Sequence, residues 1–375
     1  MKLALVISNL ERGGSERQIV EFVRAAHPDH AQCVVICLGH EGPLAGEIQA
    51  VGAKVVALHA QRAYSLRALW RLARTFRHEQ PDAIYAFLFW GYSISLPLAA
   101  LTVPHACRIQ ARRSTPDVDV PRQSVLRGLR RIADRCSHGV IVNSLAVGGA
   151  VARHEPALSG RLWVVPNGVR GVAQRMRPAG GELTIVCVAN LIAYKGHATL
   201  IGAVRLLRPH GWSLLLVGEG PERESIRRAI VAANLQGQVR MLGPCENVGD
   251  ILDLADLAVL PSYAEGMPNA VLEAMAHGIP VVASDVGGVR SLLGSGAGTV
   301  VAPRDEEELA KALQHLIDDP SLRAKMGERG RELVRGSLGV DAMRTATLRA
   351  ISDICWQRHA REKSLEPNSA QTVLI

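Results

Sequence analysis

Short apolar runs, each followed by a stretch whose apolar positions recur at helical spacing, repeat along this chain. In the first half the runs lie at residues 3–7, 34–38, 54–58, 83–87, 106–110, 139–142 and 162–165. A stretch at 170–181, rich in glycine, proline and arginine, breaks the rhythm. It resumes at Leu183, with runs at 184–189, 213–217, 239–242 and 257–260. Strands that are apolar throughout and alternate with amphipathic helices predict parallel sheets covered on both faces. Ligands of such sheets sit at the carboxyl ends of the strands. The pattern therefore predicts an α/β chain of two Rossmann-like domains, 1–170 and 183–339, joined by a linker at 171–182. A length of 375 residues, beyond what one hydrophobic core usually serves, agrees.

Composition refines this picture at a few points. Seven cysteines, an odd number scattered through apolar runs, predict reduced thiols and a cytoplasmic protein. The opening MKLALVISNLERGG turns polar too early for a signal peptide and reads as a first buried strand. Residues 84–103 carry no charge over twenty positions, long enough to span a bilayer, but Gly91, Ser93, Ser95 and Pro97 interrupt them. They divide better into a strand and a helix around residues 93–101. The net charge of +8 has a local source at 108–135, where eight arginines face Asp117, Asp119 and Asp134. Such a patch is a solvated face by default, with an anionic membrane surface or an acidic acceptor next. Nucleic acid is disfavoured, because aromatics are scarce there and no recognised binding module is visible. Two metal-like patterns are also disfavoured. Cys33 and Cys37 lie at the ends of an apparent strand, so His27, His30, Cys33 and Cys37 read as core thiols with loop histidines. Asp117-Val118-Asp119 lies between prolines in an arginine-rich stretch rather than after a clean strand. No metal and no cofactor are expected.

Candidate chemistry concentrates at 261–280, PSYAEGMPNAVLEAMAHGIP. It follows an apolar run, turns at Pro261, Ser262 and Gly266, and opens a helix at Pro268 and Asn269. Strand, loop and helix N-terminus in that order offer unpaired N–H groups and a partial positive charge to an anion. The backbone N–H groups of Gly266, Met267 and Asn269 are the candidates, while Pro268 has none and only shapes the turn. Glu265 would lie beside the anion, and Glu273, in the second helical turn, deeper along the helix where it can accept from hydroxyl groups. Two other strand ends have similar character. Gly13 and Gly14 follow the first run and precede a helix, as Lys195-Gly196 do after the run at 184–189. A lysine there meets a phosphate as a point charge. Gly218 and Gly220 make a further strand-end turn.

Glu265 and Glu273, with Gly-Met-Pro-Asn between them and EAMAHGIPVVASDVGG running on from the second, resemble the E-x7-E segment of the retaining glycosyltransferases of family 4. The resemblance extends to GGSERQIVEF, to the Lys195-Gly196 segment and to the hinge-like Asn167-Gly168-Val169. It implies the GT-B fold, two Rossmann-like domains whose parallel sheets face a central cleft, the first binding the acceptor and the second the nucleotide sugar. A last helix, 340–363, would cross back to the first domain ahead of a loose tail, 364–375. By the same resemblance Lys195 and Glu265 are catalytic, Lys195 on the diphosphate and Glu265 on the donor sugar. Glu273 would bind ribose hydroxyls, Gly13 and Gly14 would face the diphosphate, and Asn190, Gly218, Gly220, Gly266, Met267 and Asn269 would complete the donor site. The implied reaction is metal-independent, retaining transfer from a nucleotide-diphosphate sugar, UDP favoured over GDP. The implied acceptor is a saccharide or a lipid-linked one, in cell-surface polysaccharide or glycolipid synthesis, at a peripheral position on the inner membrane face. Three positions depart from the family pattern. Asn190 stands where many members have arginine, Arg170 where an aspartate is usual, and no histidine marks the fourth or fifth strand end. Arg112 and Arg113 occupy one of those ends and are the candidate acceptor-facing pair. The competing readings are a nucleotide-sugar-binding protein without catalysis and another nucleotide-sugar enzyme such as an epimerase.

Overall fold

The computed structural model describes residues 1–60, 65–114, 124–173, 182–208, 211–245 and 247–365. The Asp117-Val118-Asp119 triplet, most of the 171–182 linker and most of the 364–375 tail lie outside the described residues. Two compact units form, Met1–Val165 with Met343–Ile375, and Pro166–Ala342. Residues 166–170 thus group with the second unit rather than closing the first.

Unit 1 runs β1 (Lys2–Ile7), α1 (Gly14–Ala26), β2 (Gln32–Cys37), α2 (Ala45–Gln49), β3 (Lys54–Ala57), α3 (Leu66–Glu79), β4 (Ala83–Phe87), α4 (Leu88–Thr102), β5 (Cys107–Arg112), α5 (Ser124–Cys136), β6 (Gly139–Val142), α6 (Leu145–His154) and β7 (Leu162–Val164). Its seven strands are parallel in the order β3-β2-β1-β4-β5-β6-β7. Leu3 pairs with Cys33 on one side and Ala83 on the other, so β1 is central and its side chains are buried on both faces. Local signals set several helix ends. Ser65 caps α3 by accepting from Ala68 N–H at 3.3 Å, and Ser144 caps α6 through Val147 N–H at 3.2 Å.

Unit 2 runs β8 (Leu183–Val188), α7 (His197–Val204), β9 (Trp212–Val217), α8 (Arg223–Ala232), β10 (Val239–Gly243), α9 (Val248–Leu252), β11 (Leu257–Leu260), α10 (Asn269–Ala276), β12 (Val281–Ser284), α11 (Val289–Leu293), β13 (Gly298–Val301), α12 (Glu306–Asp318) and α13 (Pro320–Arg335). Six parallel strands take the order β10-β9-β8-β11-β12-β13. The C-terminal helix α14 (Val340–Leu365) packs on unit 1 from Met343 onward. Arg344 Nη1 donates to the Ala25 carbonyl at 3.5 Å, and Arg358 Nη2 to that of Pro104 at 2.8 Å.

The uncharged stretch resolves into β4 and α4 with no loop between them. Leu88, the first helical residue, makes the turn in the left-handed region at φ 60°, a conformation costly for a side chain with a Cβ. Gly91 then lets α4 lie against β1, because a Cβ there would come within 3.1 Å of the Val6 carbonyl oxygen. The helix therefore starts five residues before the 93–101 expectation. Among the described residues no helix is long and apolar enough to cross a membrane. Cys33 and Cys37 are buried on β2, and burial pushes both thiols up to about 12, with Glu41 adding to the effect at Cys37. His27 Nδ1 accepts from Cys33 N–H at 3.1 Å.

Arg112 requires a correction. Its guanidinium is only 1% exposed and donates to Glu155 at 2.9 Å, to Asp134 at 3.3 Å and to the Tyr92 hydroxyl, while stacking 4.1 Å from the Tyr92 ring centroid. Arg130 holds the other Glu155 oxygen at 3.3 Å. This cluster ties β5, α4, α5 and the end of α6 together, and Arg112 has no face left for an acceptor. Arg113 is half-buried, donates to the Tyr85 hydroxyl at 3.3 Å and lies 5.3 Å from the Phe87 ring centroid. Removing one member of a buried ion cluster leaves a charge uncompensated and costs about 3–5 kcal/mol. Glu155→Ala is thus expected to lower the stability of unit 1 by that amount in denaturant titration, and Glu155→Ala with Arg112→Met to recover part of it.

Candidate functional site

In unit 2 the strand order reverses between β8 and β11, so the loops leaving these neighbouring strands diverge and open a crevice at their carboxyl ends. Lys195 leaves β8 and Glu265 leaves β11. Their side chains meet there, with Lys195 Nζ 2.6 Å from Glu265 Oε1 and side-chain exposures of 17% and 9%. The backbone holds the two loops in place. Tyr263 N–H donates to the Tyr194 carbonyl at 2.7 Å. Gly196 takes φ 70°, and a Cβ on it would lie 2.0 Å from the Pro261 carbonyl oxygen, so only glycine admits this approach. Tyr263 shares a 2.8 Å hydrogen bond with Thr199 on α7, and the Arg304 guanidinium stacks on its ring at 3.9 Å.

The far end of the Glu265 loop is anchored as firmly. Gly288 N–H donates to the Gly266 carbonyl at 2.7 Å, and Gly287 sits at φ 55° where a Cβ would strike the Glu265 carbonyl oxygen. Asn167, read from sequence only as part of a hinge, is buried here. Its Nδ2 donates to the Met267 carbonyl at 2.9 Å and to Asn269 Oδ1 at 2.8 Å. Asn269 opens α10, which carries Glu273 half-buried on its second turn. Thus Lys195, Glu265, Gly266, Met267 and Asn269 are assembled at one crevice, with Glu273 on the helix that leaves it.

Asn190, Gly218 and Gly220 form an adjoining cluster. A Cβ on Gly218 would lie 2.1 Å from the Ala189 carbonyl oxygen, and one on Gly220 2.4 Å from that of Leu191. Leu191 N–H donates to the Glu219 carbonyl, and Glu222 N–H to that of Leu191, both at 2.9 Å. Asn190 is exposed beside them. A cavity of about 630 Å³ opens at the same turn, lined by Glu219, Gly220, Arg223, Arg227 and Met241, but it includes neither Lys195 nor Glu265. The charged centre and this hollow are separate features.

His197, the first residue of α7, is buried with neither ring nitrogen hydrogen-bonded among the described residues. Burial first, then the Lys195 charge, pushes its pKa down to about 4, with Glu222 opposing. This imidazole, two residues after the lysine and close enough to feel its charge, is a feature that sequence reading passed over. In unit 1, Gly13 precedes α1 and Gly14 begins it. The Glu16 carboxylate folds back so closely that a Cβ on Gly13 would lie 2.2 Å from it. Burial raises the Glu16 pKa against its own backbone hydrogen bond, with Glu11 adding to the rise. A carboxylate three residues after a cap position was the available signal for this contact.

Comparison with known proteins follows the same division. The family model described as Glycosyltransferase Family 4 matches residues 12–170, and that described as Glycosyl transferases group 1 matches residues 173–333. The lipopolysaccharide core biosynthesis glycosyltransferase LpsE of Rhizobium meliloti is 31% identical over 317 residues, 78% of this chain and 92% of that protein. The exopolysaccharide phosphotransferase SCO2592 of Streptomyces coelicolor is 35% identical over 178 residues, 46% of this chain but only 19% of that protein. Among solved structures, Anabaena Alr3699/HepE in complex with UDP-glucose superposes with a TM-score of 0.82 at 21% identity, covering 94% of this chain and all of that one.

Two outcomes test this geometry. Asn167→Ala leaves the Met267 carbonyl and Asn269 side chain short of a donor and is expected to cost about 1–3 kcal/mol of unit 2 stability. An unchanged denaturation midpoint would show that the loop does not depend on it. His197 stays neutral in the fold while the unfolded chain takes up a proton below an ordinary pKa near 6.5, so its contribution to stability is lost as pH falls from about 6.5 to 4. Between pH 7 and 5 the stability of His197→Gln is expected to fall less steeply than that of the unsubstituted chain.

Proposed function

This chain belongs to the glycosyltransferases of group 1 and family 4, which share the GT-B fold, and on that premise we propose that it transfers a sugar, with retention of configuration, from a nucleotide-diphosphate sugar to an acceptor. UDP-sugars are the first donor class and GDP-sugars the second. The acceptor is a saccharide or a lipid-linked saccharide in cell-surface polysaccharide or glycolipid synthesis, handled by a cytoplasmic enzyme peripheral on the inner membrane face. The observation that carries the reading is the 2.6 Å contact between Lys195 and Glu265 at the crevice between β8 and β11.

As the glycosidic bond breaks, negative charge accumulates on the leaving diphosphate. A millionfold acceleration needs about 8 kcal/mol of transition-state stabilisation. A helix terminus supplies at most about 2 kcal/mol and a charge-assisted hydrogen bond about 1.5–3. Several groups must therefore act together. Lys195 meets the diphosphate, and the N-terminal end of α10 adds its dipole. Glu265 orients the donor sugar, Glu273 takes the ribose hydroxyls, and the Asn190, Gly218 and Gly220 cluster borders the nucleotide. The acceptor attacks the face from which the diphosphate leaves and passes its proton to that diphosphate, which accounts for retention. These groups provide the positive charge without a metal ion. Arg113 is the remaining member of the acceptor-facing pair. Asn190, in place of a cation, is the observation that favours the alternative of a nucleotide-sugar-binding protein without transfer.

Purified protein assayed against UDP- and GDP-sugars separates the two readings. Transfer or slow donor hydrolysis with at least one sugar is expected, unaffected by EDTA. Lys195→Ala should lower kcat about 10- to 100-fold, as loss of one charge-assisted contact predicts. Glu273→Ala should mainly raise the donor KM. Wild-type rates in both variants would refute the site, and donor binding without turnover would favour the binding protein.

A further inference from the structure

The helices α3, α4 and α5 lie side by side on one face of the unit 1 sheet, α3 against α4 and α4 against α5. Their outward surface has an unusual charge balance. On α3, Arg67, Arg74 and Arg77 are exposed, and on α5, Arg127, Arg131 and Arg135. The two carboxylates these helices carry, Glu79 and Asp134, are both buried. Glu79 is bound by Lys2 and Lys54, and Asp134 by Gln110 and Arg112. None of the six arginine side chains is paired with a carboxylate among the described residues. On α1 the arrangement differs, since Arg17 and Arg24 are both paired with Glu47 at 2.9 Å.

Large apolar side chains stand among these arginines. Leu66 is 86% exposed and Trp70 61%, on the same stripe of α3 as Arg67 and Arg74, with the Arg74 guanidinium 5.6 Å from the Trp70 ring centroid. Leu101 at the end of α4 is 82% exposed, and Val125 on α5 is 73% exposed. An indole beside a guanidinium, with leucines standing out at the level of the cations, matches the boundary between lipid headgroups and acyl chains. Nucleic acid would use the arginines but leave the leucines and valine in water, whereas a bilayer takes up both.

We propose that the α3–α4–α5 face of unit 1 docks this protein on an anionic lipid bilayer, the arginines meeting headgroup charge and Leu66, Trp70, Leu101 and Val125 entering the headgroup layer. This deepens the peripheral-membrane part of the function proposed above and rests on it. It also moves the membrane contact, since half of the exposed cations belong to α3, outside the arginine-rich stretch at 108–135.

Co-sedimentation of the full chain with vesicles tests the proposal and requires neither donor nor acceptor, so its failure is distinguishable from failure of sugar transfer. Binding is expected to vesicles of phosphatidylcholine with phosphatidylglycerol and to be at least tenfold weaker on phosphatidylcholine alone. A basic side chain at an anionic leaflet is worth roughly fivefold in partitioning. Reversing Arg67, Arg74 and Arg77 to Glu should therefore lower binding by about a hundredfold or more. Trp70→Ser, which keeps every charge, should also weaken it, whereas reversal of the exposed Arg205 and Arg240 of unit 2 to Glu should weaken it much less. Because all these positions are exposed, unchanged far-ultraviolet circular dichroism will show that the variants fold. No binding to anionic vesicles, equal binding to neutral ones, or undiminished binding by both the triple variant and Trp70→Ser would overturn the proposal.

Discussion

A parallel sheet cannot be closed by hairpins, and that constraint shapes both units of this chain. Each strand is joined to the next parallel one by a crossover, here a helix, and the helices cover both faces. Each sheet of this chain starts from an internal strand and grows outward in two directions. In unit 1 that strand is β1 and in unit 2 it is β8. Beside each, two loops leave in opposite directions at the carboxyl ends. The glycine pair at Gly13-Gly14 follows β1, and Lys195 and Glu265 follow β8 and its neighbour β11. Chain topology therefore places these residues where the backbone leaves room for a ligand, before any side chain contributes.

Strands and loops of this kind were legible because their signals are local. A buried parallel strand reads as a continuous apolar run, and the residues that turn the chain at its end are the next in sequence. The turns that carry Lys195, Glu265, Gly218 and Gly220 accordingly follow the strands that the apolar runs predict. What could not be read depends on partners far along the chain. Arg112 looked available because it ends a strand, yet its charge is taken by Asp134 and Glu155, 22 and 43 residues away. Asn167 looked like a hinge, yet its amide is committed to Met267, a hundred residues on. The early start of α4 was hidden for another reason. Leu88 takes a left-handed conformation that its residue type disfavours, so no propensity rule could place the turn there.

The two sets of paired charges at strand ends show one chemical motif in different surroundings. Around Arg112 the charges are almost wholly enclosed, and three acceptors fix the guanidinium from α4, α5 and the end of α6. Such a cluster locks helices in place and has no freedom to exchange partners. Lys195 is more accessible than Arg112, and it and Glu265 are each carried by a loop that glycines have drawn close to its neighbour. A lysine, with a single mobile ammonium, can turn from one oxygen to another without losing its charge contact. Burial and connectivity, more than the identity of the charges, distinguish these two sets of charges.

That exchange sets a condition on the proposed chemistry. At 2.6 Å and an effective dielectric near 20, the gross attraction between Lys195 and Glu265 is about 6 kcal/mol. A diphosphate reaching Lys195 would share one cation with a carboxylate already beside it, and two anions around one ammonium repel each other. The arrangement is tolerable only if positive potential comes from elsewhere or if Glu265 turns toward the hydroxyl groups of a sugar. The N-terminal end of α10 contributes part of the first. Glu265 lies on the loop that leads into that helix, and the loop is pinned by Gly288 and Asn167 rather than by the carboxylate itself. Its side chain can therefore change partner while the backbone stays in place, so the same contact that neutralises Lys195 can be released to position a donor.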